Sequence, residues 1–173
     1  MDFADYRLDN IRYNDYPCLR MKTTKPGKSG RRPGFPEEAA FLDLMRTADM
    51  LSRGLVRILK SEDLSPTQYN VLRILRGAPE GLPCGEIACR MITRDPDVTR
   101  LLDRLEKREL ISRCRESTDR RTVMTRIAPE GLELLARLDE PVQAAHHKQL
   151  GHLGRERLRA LAELLSVSRS RVA

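Results

Sequence analysis

Between Pro36 and Ser61 the apolar residues recur at helical spacing: Ala40, Leu42, Leu44, Met45, Ala48, Met50, Leu51, Leu55, Ile58 and Leu59. The stripe they draw is wider than one packing neighbour requires, so the pattern predicts a long helix that also meets a partner subunit. Ser65-Pro66-Thr67-Gln68 reads as a helix start, with Ser65 capping, Pro66 at the first helical position and Gln68 reaching back to close the box. Tyr69, Val71, Leu72 and Leu75 form the apolar side of that helix, and Gly77 with Pro79 ends it. Gly81-Leu82-Pro83 is expected to open a short helix over Cys84 to Met91, with Ile87, Ala88 and Met91 turned inward. The next helix is expected from Pro96 to Lys107. Asp95 would cap it, Pro96 would take its first turn, and Asp97 would add a favourable charge at the positive helix end. Val98, Leu101, Leu102 and Leu105 fall at i, i+3, i+4, i+7 and make one buried stripe; Thr99, Arg100, Asp103 and Arg104 lie opposite. The period then changes. Leu110 to Arg115 and Val123 to Ile127 alternate or nearly alternate, as two short strands joined by the polar loop Glu116 to Thr122. Pro129-Glu130-Gly131 begins a long helix that Pro141 must kink or interrupt. A last helix follows from about Arg155 to Val167, with Leu158, Leu161, Ala162, Leu164 and Leu165 apolar.

The fold class is therefore mostly α with a small β-hairpin. Two short helices, a strand, an arginine-tipped turn, a second strand and another helix make a winged helix-turn-helix. In such a unit the second helix enters the DNA major groove. With the leucine stripe buried, Asp95, Asp97, Thr99, Arg100 and Arg104 stand on or near the solvent side. Arginine is the side chain best shaped to grip guanine edges or phosphates with two parallel bonds. The hairpin tip carries Asp119, Arg120 and Arg121. An arginine there can insert into a narrow minor groove, and Asp119 can hold one of the pair extended.

The charge balance supports a polyanionic partner: 32 Lys and Arg against 25 Asp and Glu, a formal net charge of +7 over 173 residues. Aromatic residues are only 4 % and Trp is absent, which argues against a stacking platform for single-stranded nucleic acid. No apolar run approaches the roughly 20 residues that span a bilayer, and no signal peptide is read at the N-terminus. A cytosolic protein with no membrane partner is expected. Residues 1–34 read as a flexible basic extension, Lys-, Gly- and Pro-rich from Met21 to Gly34, and translation starting at Met21 is one hypothesis. Cys18, Cys84, Cys89 and Cys114 form no CxxC pair and are read as free thiols. Cys84, at a helix start, keeps a redox-sensing regulator as an alternative. Gly27-Lys28-Ser29 lacks the upstream Gly of a phosphate loop, since Lys22 stands there. His146, His147 and His152 lack metal-ligand spacing, and no nucleophile–base arrangement stands out, so neither a cofactor nor an enzyme is expected. Two rivals come from other classes: a winged helix that binds protein, and an RNA binder using the tail from Lys22 to Arg32.

The chain resembles the MarR family of bacterial transcriptional regulators. The carrying residues are Leu64-Ser65-Pro66-Thr67-Gln68-Tyr69, Gly85-Glu86-Ile87-Ala88, Val98 to Leu105, Leu110-Ile111, Asp119-Arg120-Arg121 and Ile127-Ala128-Pro129-Glu130-Gly131. The likeness covers about Glu37 to Val167, and the wing motif is its most specific part. It implies a homodimer whose N- and C-terminal helices interlock, two lobes on a palindromic site, and Arg121 as the wing arginine with Asp119 as its acidic partner. On this reading 35–61 is a dimerisation helix, 62–127 the DNA-binding region and 128–173 the C-terminal dimerisation helices. The partners are double-stranded DNA, a second copy of the chain and a small-molecule effector. Three positions depart from the family's habit: Pro83, Ala128 and Gly154 stand where Ser or Thr usually caps a helix. Each weakens a cap by about 1 kcal/mol or less.

Overall fold

The computed structural model describes residues 35–93, 95–115 and 122–170. Among the described residues six α-helices and three strands follow in the order α1 (Pro36–Lys60), α2 (Pro66–Arg76), β1 (Leu82–Pro83), α3 (Cys84–Arg90), α4 (Val98–Lys107), β2 (Ile111–Arg115), β3 (Val123–Ile127), α5 (Pro129–Leu150) and α6 (Gly154–Ser170), with a 3-10 turn at Gly151–Leu153. The chain divides into two compact units. Among the described residues one holds Val56–Gln143; the other holds residues 35–55 and 144–170.

The first unit carries the hydrophobic core. Tyr69, Val71, Leu72, Ile74 and Leu75 of α2, Ile87 of α3, Leu101, Leu102 and Leu105 of α4, and Leu134, Leu135 and Leu138 of α5 are all buried. α2 begins as its sequence predicts. The Ser65 hydroxyl accepts the Gln68 N–H at 3.2 Å, and Gln68 Oε1 accepts the Ser65 N–H at 2.8 Å, so two orphan donors of the helix start are satisfied reciprocally.

α1 and α4 end alike. Leu64 N–H donates to Leu59 O and Asp63 N–H to Lys60 O; Leu110 N–H donates to Leu105 O and Glu109 N–H to Glu106 O. Asp63 and Glu109 sit at φ 51° and 58°, the left-handed turn that usually falls to glycine. Each is followed by a buried leucine that closes the motif, Leu64 or Leu110. Arg108, at the end of α4, donates to the backbone oxygens of Glu62 and Asp63 at 3.0 and 2.5 Å. One helix end thereby grips the carbonyls of the other.

The sheet differs from the expected hairpin by one strand. Its order is β1-β3-β2, antiparallel throughout, with Leu82 opposite Thr125 and Pro83 opposite Met124. Leu82-Pro83 therefore pairs as an edge strand instead of opening α3. A proline is tolerated there because an edge position does not need its N–H. Gly81 precedes it at φ 87°, and a Cβ at that position would lie 2.9 Å from Thr125 O, so only glycine fits the turn. Pro83 then stands at the N-cap of α3 and makes no side-chain capping bond.

Two more expectations change. α4 starts at Val98, and its cap is Asp97 in place of Asp95. α5 continues through Pro141 as helix; the proline is exposed, where water can satisfy the carbonyl it leaves unpaired. Residues 1–34, including Cys18, Met21 and the basic tail, lie outside the described residues.

α5 is held against the winged unit at its start and along its side. Ala128 N–H donates to Leu110 O at 3.0 Å. Arg76 grips Asp139 with two bonds at 2.7 and 2.9 Å, and Arg137 grips Glu62 at 2.9 Å. The hydrogen bond from Arg137 is the largest influence on Glu62 and holds its carboxyl below the ordinary value. Gly131 has no room to spare: a Cβ there would meet Leu110 O and lie 2.9 Å from Ile127 Cγ1.

Gly131→Ala is accordingly expected to force α5 away from the β2 entry and to cost about 1–3 kcal/mol, read as a lower Tm by calorimetry; an unchanged Tm contradicts this packing. A second expectation concerns pH. Since the folded pKa of Glu62 is depressed, its contribution is complete above the unfolded value and disappears as pH falls through the folded one. Glu62→Gln should lower Tm slightly at neutral pH, the pair being half exposed and screened. The gap from wild type should close as acidification takes the pH through the depressed Glu62 value, and a pH-independent gap argues against the ion pair.

Candidate nucleic-acid interface

The rotation of α4 is set by its apolar stripe. Val98, Leu101, Leu102 and Leu105 are all buried, as their spacing predicts. Each buried side chain contributes about 1.5–3 kcal/mol, far more than any ion pair on the opposite face. The helix start is built by two aspartates. Asp97 Oδ1 accepts the Arg100 N–H at 3.1 Å, and Asp95 Oδ1 accepts the Asp97 N–H at 2.9 Å. Pro96 lies in the turn between them, where its fixed φ is useful. Asp95 and Asp97 thus shape the backbone that presents the helix.

Thr99, Arg100 and Arg104 are exposed. Arg100 Nε lies 3.1 Å from Asp97 Oδ2, with the Arg100 side chain 76 % exposed. Such a pair contributes little and leaves most of the donor fork turned to solvent. Arg104 has no ion-pair partner among the described residues. Asp103 and Glu106, on the same helix, are engaged by Arg113 of β2. The hydrogen bond from Arg113 leads the influences that lower the Glu106 pKa, and Glu106 in turn raises that of Arg113.

α3 and the turn after it are fixed from beneath. Asn70, buried in α2, accepts the Ile92 N–H on Oδ1 at 2.9 Å. A backbone donor just past the end of α3 is therefore satisfied by a side chain from the core, which holds the helix-turn-helix corner in place. Sequence reasoning passed over Asn70; its signal is a lone amide inside an otherwise apolar run.

The hairpin strands run Ile111↔Ile127 to Arg115↔Val123. Asp119, Arg120 and Arg121 lie outside the described residues, so the structure places the two strands that carry the tip and not the tip itself. Arg115 is exposed at the end of β2. Arg126 of β3 donates from Nη1 to Cys114 Sγ at 2.7 Å. Cys84 is half-buried and Cys89 and Cys114 are exposed; all three are free thiols. Among the described residues no group of three or more His, Cys, Asp or Glu could hold a metal ion, and no helix is long and apolar enough to cross a membrane.

This arrangement has counterparts among known proteins. A sequence model described as MarR family matches residues 64–123, from the start of α2 to the start of β3. A MarR transcription factor from Planctomyces limnophilus is 39 % identical, with 79 % of this chain and 99 % of that chain covered and a TM-score of 0.59. The transcriptional repressor CouR, solved on a 23-mer DNA duplex, is 30 % identical over 82 % of this chain and 99 % of its own, with a TM-score of 0.70. The transcriptional regulator FarR from Neisseria gonorrhoeae is 29 % identical over 126 residues, 72 % of this chain and 85 % of the relative. With the helix-turn-helix corner, the flanking three-stranded sheet and these likenesses in agreement, the chain belongs to the MarR family of transcriptional regulators, whose members are not enzymes.

Proposed function

We propose that this protein is a sequence-specific double-stranded DNA-binding repressor that acts as a homodimer on a palindromic site. The orientation of α4 carries the reading: its leucine stripe is buried, so Thr99, Arg100 and Arg104 are turned outward beside the hairpin. The likeness to CouR, a repressor solved on a duplex, supports the same conclusion. In this account Lys and Arg contacts to phosphate supply affinity, while Thr99, Arg100 and the helix start bearing Asp95 and Asp97 address base edges. Arg104 follows on the same face, and Arg120 and Arg121, with Asp119 as their partner, grip the flanking minor groove. Residues 62–127 form the DNA-binding part.

The second unit supports the dimer. Every residue from Phe35 to Met50 is exposed, and Leu55 is the one buried apolar side chain among the described residues of that unit. Phe41 is 60 % exposed, Met45 55 % and Leu164 of α6 67 %. Apolar surface of that extent calls for a covering subunit, and a second copy supplies it symmetrically through 35–61 and 128–173. Two recognition helices about 34 Å apart then meet successive major grooves. An effector would act by preferring one lobe spacing, because a ligand with equal affinity for both shifts nothing. The setting is the cytoplasm, where DNA and regulator meet.

Fluorescence anisotropy with a duplex selected from a randomised pool tests the interface. Arg121→Ala should weaken binding on every sequence and reduce the slope of log affinity against log salt by about one; Arg100→Ala should cost about 1–3 kcal/mol and relax base choice at one position. Equal affinities of Arg121→Ala and wild type at fixed salt contradict the wing contact. For the assembly, Phe41→Glu combined with Met45→Glu should halve the mass seen by sedimentation and abolish tight binding to the palindrome. A wild type that sediments as a monomer at micromolar concentration rules the dimer out.

A further inference from the structure

The two elements expected to touch DNA, α4 and the hairpin, come from separate stretches of chain, and one side chain joins them. Arg113 is the middle residue of β2, opposite Thr125. Its Nε donates to Glu106 Oε2 at 2.9 Å and its Nη2 to Asp103 Oδ1 at 2.6 Å; Nη2 also reaches Glu106 Oε2. Asp103 and Glu106 are one turn apart and share a face of α4. Arg113 is the least exposed of the three, at 24 %. A planar guanidinium held on two sides constrains direction as well as distance, which a flexible ammonium does not.

The charges make the arrangement informative. Two carboxylates around one guanidinium leave the cluster net negative, on the very helix that bears Arg100 and Arg104. A surface arranged only for attraction to phosphate would not place carboxylates there. We infer that Arg113, with Asp103 and Glu106, is a positioning clamp: it sets the angle between α4 and the wing, and through that angle the discrimination between DNA sequences, without itself touching DNA. The inference rests on the reading of α4 and the hairpin as the DNA-contacting elements. Arg113 is thereby removed from the set of candidate phosphate contacts, although by type and neighbourhood it belongs with them.

The test uses the full chain and two duplexes at several salt concentrations: the tightest binder selected by the wild type from a randomised pool, and a scrambled duplex of equal length and composition. Asp103→Asn and Glu106→Gln each add one unit of positive charge. If the carboxylates act only through charge, both duplexes are bound more tightly and in parallel. The clamp predicts opposite signs: the scrambled duplex is bound as well or better, the selected one about tenfold less well. Arg113→Gln should lower the same ratio yet keep the wild-type salt slope, since no phosphate contact is lost. Arg113→Lys should fail to restore the ratio, because it keeps the charge and lacks the fork. Parallel changes on the two duplexes, or a slope reduced by about one in Arg113→Gln, overturn the clamp. Should Arg113→Gln not fold, the two carboxylate variants, at more exposed positions, decide alone. A wild type without salt-dependent duplex binding overturns the DNA reading instead, so the two failures are told apart.

Discussion

The structure depends on one constraint above the rest: four apolar side chains on α4 cannot face water. Val98, Leu101, Leu102 and Leu105 are inside, and a helix has a single rotation that achieves this. The outward positions follow with no further choice, and they hold Thr99, Arg100 and Arg104. Everything else in the winged unit refines that placement. The aspartates around Pro96 define where the helix begins, Asn70 secures the corner before it, and Arg108 and Arg113 secure its far end to α1 and to the sheet.

Arginines divide accordingly into two kinds. Arg76, Arg108, Arg113 and Arg137 are engaged with carboxylates or carbonyl oxygens outside their own helix or strand, and all but Arg113 bridge distant parts of the chain. Arg100 and Arg104 project from one helix, held at most by a neighbour one turn away. Net charge treats the two kinds alike, which is why a count of basic residues indicates a polyanionic partner but cannot say which side chains meet it.

Much of this was legible in the residues. α2 could be read because its capping box is local chemistry, and the α4 stripe because burial follows spacing. What was missed is tertiary. β1 has two residues, too few to alternate, and it exists only because β3 offers a partner far along the chain. Asp95 and Asp97 are equally good caps by type, and the turn at Pro96 decides between them. Arg113 did carry a signal. In β2 the alternation puts it on the same face as Ile111, which is buried, and a guanidinium on the core side of a strand needs carboxylates beside it. Those carboxylates were visible on α4, but nothing in the spacing joined them to the strand.

The brevity of β1 bears on how the molecule behaves in a crowded solution. A small sheet leaves an open flank of unpaired amides and carbonyls, and such a flank recruits strands from neighbouring chains into aggregates. On the β1 side that flank is two residues long, and at one of them, Pro83, the amide hydrogen is missing altogether; β2, five residues long, forms the other edge. On that side a foreign strand would find almost no ladder to extend. The proline that gives α3 a poor start therefore guards the β1 flank of the sheet against adhesion.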